Sequence, residues 1–242
     1  MSNINIIYRF QLADDQTETV GLQLDEQSLL LKDDYVASLP DWTKLRYKQC
    51  PTCPLKPNES PSCPIAKQLA QHTELFDKVQ SFDKIKLVVK TQQRMVSQKT
   101  TAAKAISAFI GFIMATSGCP HTAFFRPMAR FHLPLASEQE TIYRAASMYL
   151  LAQYFKDANG QPADWSLGGL KKIYRELSTV NQGIGARLRE ATKSDSSLNA
   201  IVDLDMYTKV IPDMIEESLF EIQNMFNVYL DSDEIINFNL SL

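Results

Sequence analysis

The sequence predicts an α+β protein: a small N-terminal antiparallel sheet with an inserted cysteine loop, packed on a predominantly helical body. Three observations lead there. Apolar residues alternate at the start, with Ile4, Ile6, Tyr8, Phe10 and Leu12 on one face and Asn5, Arg9 and Gln11 opposite. Helix-period patterns with recognisable caps fill the chain beyond residue 100. Between them, residues 47–66 read YKQCPTCPLKPNESPSCPIA, a turn-rich loop in which a proline follows every cysteine.

Each element follows from local pattern. A half-buried strand over Ile4 to Leu12 meets a turn at Asp14-Asp15-Gln16, and Val20, Leu22 and Leu24 resume the alternation on a returning strand. Leu29 to Leu31 can add a third. Lys84 to Thr91 forms the last strand, with Ile85, Leu87 and Val89 inward and lysines on the wet side. Pro64 opens a helix through Lys67, Leu69, Leu75 and Phe76. Thr100 or Thr101 caps an apolar helix that ends at Gly118. Ser137 and Glu140 have capping-box spacing and open a helix through Ile142, Tyr149 and Phe155, which Asn159-Gly160-Gln161-Pro162 ends. A further helix spans about Leu167 to Thr192, weakened by Gly183 and Gly185. Another follows Ser194-Asp195, and Pro212 should break or kink it. The last helix carries Ile215, Leu219, Ile222, Phe226 and Tyr229 as an amphipathic stripe. The chain divides into residues 1–98 (sheet, cysteine loop and one helix) and 99–242 (helical body), expected to form one continuous globular unit.

A chain of 242 residues with 45% hydrophobic content can bury a sizeable core. Its net charge of −3 argues against nucleic acid or an acidic membrane surface as partner. The most apolar run, Ala105 to Thr116, is too short to cross a bilayer, and the N-terminus lacks a signal-peptide pattern. A cytoplasmic location, where thiols stay reduced, is the expectation. Charge is uneven. Lys84 to Lys104 holds six basic and no acidic residues, and Asp213 to Glu234 seven acidic and no basic ones. These are either solvated faces or docking surfaces for a small anionic ligand or a protein partner.

With 11 prolines in 242 residues, four Cys-Pro steps out of four would arise by chance roughly a few times in a million. Cys50 and Cys53 form a C-x2-C pair, Cys63 follows, and Cys119 comes much later in Ser-Gly-Cys-Pro-His. Three ligands on a loop and a fourth from a helix end suit a four-thiolate site. Proline biases the preceding cysteine toward extended backbone, deletes one donor beside the sulfur and stiffens the loop. An iron–sulfur cluster tolerates such uneven spacing; zinc is the alternative, and buried or transiently oxidised thiols remain a third reading.

A second constellation follows Cys119: His121, Arg126, Arg130, His132, Glu140 and Arg144. Arginine clamps carboxylate or phosphate and histidine moves protons, so Arg126, Arg130, His132 and Arg144 are candidates for an anion pocket beside the metal. The plain alternative is hydrogen-bonded histidines and an ordinary Glu140–Arg144 helix pair. Cys119 with His121 or His132 is a conceivable nucleophile pair. Gly-rich phosphate loops, H-E-x-x-H, EF-hand and G-x-S-x-G patterns are absent.

The runs Gln49-Cys50-x-x-Cys53-Pro54-Leu55, Met114 to His121, Met128-Ala-Arg-Phe-His-Leu-Pro134 and Ser147 to Phe155 resemble an uncharacterised family of bacterial proteins. The resemblance implies a bacterial cytosolic origin and carries no activity over. The expectation is therefore a metalloprotein with a redox-sensing, electron-transfer or regulatory binding role. The alternatives are an enzyme using the Arg/His pocket, and a helical interaction module using the acidic C-terminal helix.

Overall fold

The computed structural model describes residues 3–13, 16–32 and 38–230. Asp14 and Asp15 of the expected turn, and the end of the acidic run from Asp231, lie outside the described residues. The fold is α+β, and the sheet has four antiparallel strands in the order β2-β1-β3-β4. β1 (Asn3–Gln11) pairs with β2 (Thr17–Asp25) from Asn3↔Asp25 to Gln11↔Thr17. Its other edge takes β3 (Lys84–Lys90), with Tyr8 opposite Val89. The cysteine loop is inserted between β2 and β3. Leu31 forms only an isolated bridge with Leu24 rather than a full strand.

β4 (Met95–Thr101) corrects the expectation that β3 is the last strand. Its sequence, MVSQKTT, shows no apolar alternation because it is an edge strand whose side chains are mostly wet. A tight turn, with Thr91 N–H donating to the Arg94 carbonyl (2.9 Å), aligns it on β3. Main-chain pairing, which no side-chain pattern reports, therefore makes this strand, and Lys99 guards the open edge. β4 also spans residues 98 and 99.

The buried face of the sheet offers Ile4, Ile6, Tyr8, Phe10, Leu24, Ile85, Leu87 and Val89. Against it lies α3 (Ala102–Thr116), capped by Thr101, whose side chain accepts from Lys104 N–H. α3 is apolar nearly all round because the sheet covers one side and later helices the other. Phe109 meets Tyr8 edge-on (5.1 Å between centroids) and also contacts Phe10 and Phe76. Before β3, Pro64 opens the short helix α1 (Pro64–Leu69), and α2 (Thr73–Asp77) follows.

Beyond α4 (Arg126–Arg130), the capping box of Ser137 and Glu140 opens α5 (Glu138–Ala158) as expected. α6 (Gly168–Ala191) and α7 (Ser196–Ile222) pack along each other, and α7 also crosses α3. Pro212 lies inside α7 rather than ending it. Ile211 and Ile215 on either side of it are fully buried, so burial of that stripe outweighs the lost backbone bond. Of the amphipathic stripe, Ile215 and Ile222 are buried and Leu219 is half-buried, whereas Phe226 and Tyr229 are exposed; α7 stops at Ile222, and a short α8 (Asn227–Leu230) ends the described chain. One core cluster takes residues from Ile4 to Ile201, so sheet, cysteine loop and helices share an interior. Among the described residues, no helix is long and apolar enough to cross a membrane.

Candidate functional site

Cys50, Cys53, Cys63 and Cys119 line one small cavity, together with Leu45, His121 and α6 residues Val180, Ile184 and Arg187. Three segments deliver the four sulfurs. The first carries the C-x2-C pair, closed by a turn in which Cys53 N–H donates to the Cys50 carbonyl (3.0 Å). The second is the start of α1, where Cys63 is the N-cap and Pro64 the first helical residue. The third is the turn after α3, where Gly118 adopts φ +93°, the left-handed region that glycine enters freely, and swings Cys119 back toward the loop.

The loop is clasped around these sulfurs. Cys63 N–H donates to the Thr43 carbonyl (2.8 Å), Leu45 N–H to the Pro61 carbonyl (2.9 Å), and Gln49 Nε2 to the Leu55 carbonyl (3.2 Å). The Thr122 hydroxyl donates to the Met114 carbonyl and fixes the turn that presents Cys119.

The role of the prolines is clearer here than in the sequence. At Cys63 the N–H groups of Ile65 and Ala66 act on the sulfur, and at Cys119 those of His121 and Thr122. In both cases proline occupies the next position, and the amides two and three residues on favour the thiolate. They do so at longer range than a closed cap, since no side-chain cap bond forms at the start of α1. The step thus deletes one donor but orients two others, as at a helix start.

Burial opposes them. It pushes the Cys50 thiol up to about 11, with the other three cysteines adding to the shift, and it raises Cys63 and Cys119 as well. Without a bound metal these three sulfurs keep their protons at neutral pH, unlike an activated nucleophile. His121 is engaged elsewhere: its Nε2–H donates to the Thr52 carbonyl (2.9 Å), and Nδ1 lies 3.9 Å from Glu176.

Arg187, which the sequence did not single out, is the unexpected member. It is 2% exposed and donates to the carbonyls of Trp42 (2.5 Å), Lys44 (2.9 Å) and Leu45 (3.0 Å). Its guanidinium lies over the Tyr47 ring, and its charge favours the thiolates of Cys50 and Cys63. Among the described residues no carboxylate forms an ion pair with it, so a buried cation borders the cavity that the four cysteines line. On the same helix, a Cβ at Gly183 would lie 2.9 Å from the Cys50 sulfur, so glycine lets α6 close on the site. Among the described residues, no three Cys, His, Asp or Glu side chains come together tightly enough to hold a metal ion as they stand.

The arginine–histidine constellation lies elsewhere. His132 and Arg144 line a separate, larger cavity, whereas Arg126 and Arg130 line neither cavity. Arg130 sits over the Phe131 ring (5.4 Å), and Arg126 buries an unpartnered Nε. Arg144 Nη2 donates to the carbonyls of Met128 (2.9 Å) and Phe131 (3.1 Å). His132 Nε2 shares a short hydrogen bond with Tyr8, and its ring packs on Phe112.

Burial lowers the His132 pKa to about 3, with the Arg144 charge adding, and that of His72 to about 4. Both folded values lie below the unfolded value of about 6.5, so the unfolded chain protonates first. The stability they contribute is complete above about pH 6.5 and is lost as pH falls toward 4 and 3. Melts between pH 7 and pH 4 should show a falling Tm. His132→Gln, which keeps a partner for Tyr8 but does not titrate, should flatten that fall; an unchanged slope contradicts the assignment.

The chain belongs to the family described as a domain of unknown function, DUF6901, whose model matches residues 6–227. No curated protein and no solved structure matches it.

Proposed function

We propose that this member of the DUF6901 family is a four-thiolate metalloprotein in which Cys50, Cys53, Cys63 and Cys119 hold an iron–sulfur cluster, with a redox-sensing, electron-transfer or regulatory role. The observation that carries it is the buried Arg187, free of any described carboxylate, beside a cavity lined by all four cysteines of the chain. A buried cation among neutral thiols lacks its compensating charge. Four thiolates around a dication core carry a net charge of about −2, which a neighbouring guanidinium offsets.

The spacing favours a cluster over zinc. Structural zinc commonly takes its thiolates as two close pairs, and this chain has one pair and two single cysteines. A cluster binds each thiolate at a different iron and accepts a wider frame. The amides directed at Cys63 and Cys119 are the contacts that tune such a centre. Protein purified anaerobically should be brown, absorb near about 400 nm, as thiolate-bound clusters do, and contain iron and sulfide. A colourless chain holding one zinc replaces the cluster with a structural ion, and a stable, metal-free chain defeats the proposal.

A further inference from the structure

The larger cavity, about 1500 Å³, lies between the strand ends, α3, the segment leading into α5, and helices α6 and α7. It is independent of the cysteine site. α6 forms a wall of both: Tyr174, Leu177 and Asn181 face the larger cavity, and Val180, Ile184 and Arg187 face the sulfurs.

Its charge is biased. Lys84, Lys86, Lys99, Lys104 and Arg144 line it against Glu138, Glu140 and Asp203, and Glu140 is already committed to the Ser137 backbone. Most of the basic run seen in the sequence therefore gathers at this opening, where it can steer an anion inward. Arg144 brings a guanidinium whose Nη1 and Nε stand outside its two bonds to backbone carbonyls. The walls between are apolar, with Phe112, Leu177 and Leu204 contributing.

Asn181 supplies the second polar point. It is 1% exposed, and both its amide nitrogen and its amide oxygen lack a protein partner. A buried amide with both ends unmet is unfavourable unless something else satisfies it. Tyr174, whose ring feels the Arg144 charge, lies seven residues earlier on α6, which places Asn181 about 10 Å along the helix from it.

We propose that this cavity binds an elongated organic carboxylate, its carboxylate held by Arg144, its apolar body along α3 and α6, and a distal hydrogen-bonding group met by Asn181. The ligand class follows from two separate polar groups, Arg144 and Asn181, on the wall of one largely apolar cavity and from the lysines that line it. The proposal stands whether or not the cysteines hold a metal.

Calorimetric titration of the full chain with 10-hydroxydecanoate, decanoate and 1,10-decanediol at low salt tests it. The hydroxy acid should bind saturably and decanoate more weakly. The diol should bind at least about ten-fold more weakly than the hydroxy acid. Asn181→Leu, which replaces the unmet amide with an apolar group of similar size, should raise the ligand-free Tm and abolish the preference for the hydroxyl end. Absence of saturable binding, a diol that binds as well as the acid, or an Asn181→Leu chain with unchanged preference overturns the assignment.

Discussion

Arg187→Leu should destabilise the protein by about 3 kcal/mol or more, the largest effect expected of any single change beside the cysteine cavity. Leucine leaves the carbonyls of Trp42 and Leu45 without the donor that Arg187 supplies, whereas that of Lys44 keeps the Tyr47 N–H (3.1 Å), and each orphaned acceptor costs about 1–3 kcal/mol. Relief of burying the cation offsets part of this in a metal-free chain, but none of it where a negatively charged centre sits alongside. At this chain length the loss corresponds to a drop of about 6–12 °C in Tm. Arg187→Lys separates the two roles. Lysine keeps the charge but cannot fork to three carbonyls, so it should retain the metal while recovering only part of the stability. Chemical denaturation of both variants, with metal content measured in parallel, decides the matter. A neutral Arg187→Leu, or equal metal loss in both, contradicts the account.

Gly183→Ala is the second, and its sign is informative. In an exposed helix this change stabilises by about 1 kcal/mol. Here the new Cβ would lie 2.9 Å from the Cys50 sulfur and 3.5 Å from the Lys48 carbonyl oxygen. Cys50 or the helix must move, and overpacking of this kind costs about 1–3 kcal/mol. The variant should melt below the parent and lose bound metal, because the displaced sulfur is one of the four. A variant that melts higher with its metal retained would show that α6 does not press on the site.

Much of the fold is legible because local chemistry and tertiary fate agree. The alternation of Ile4, Ile6, Tyr8 and Phe10 is the buried face of β1, Thr101 caps α3, and Ser137 with Glu140 opens α5. The failures have a common cause. β4 and the passage of α7 through Pro212 depend on neighbours far along the chain, and neither a polar edge strand nor a tolerated proline announces its neighbours.

The candidate site divides in the same way. The Cys-Pro steps single out the four sulfurs, since proline at the start of a turn leaves a local mark. Arg187 and Gly183 leave none, because an arginine and a glycine inside a helix read as a surface charge and a weak point. Arg126 and Arg130 are near His132 in sequence, yet the short α4 and the turn after it direct only His132 and Arg144 to the larger cavity.

X-ray absorption at the metal edge, recorded on anaerobically purified protein and on Cys119→Ala, tests the central claim most directly. The account predicts an all-sulfur ligand shell with neighbouring iron atoms in the parent protein and loss of that shell when the distant fourth cysteine is removed. Nitrogen or oxygen in place of sulfur, an unchanged shell in Cys119→Ala, or no bound metal in the parent would contradict it.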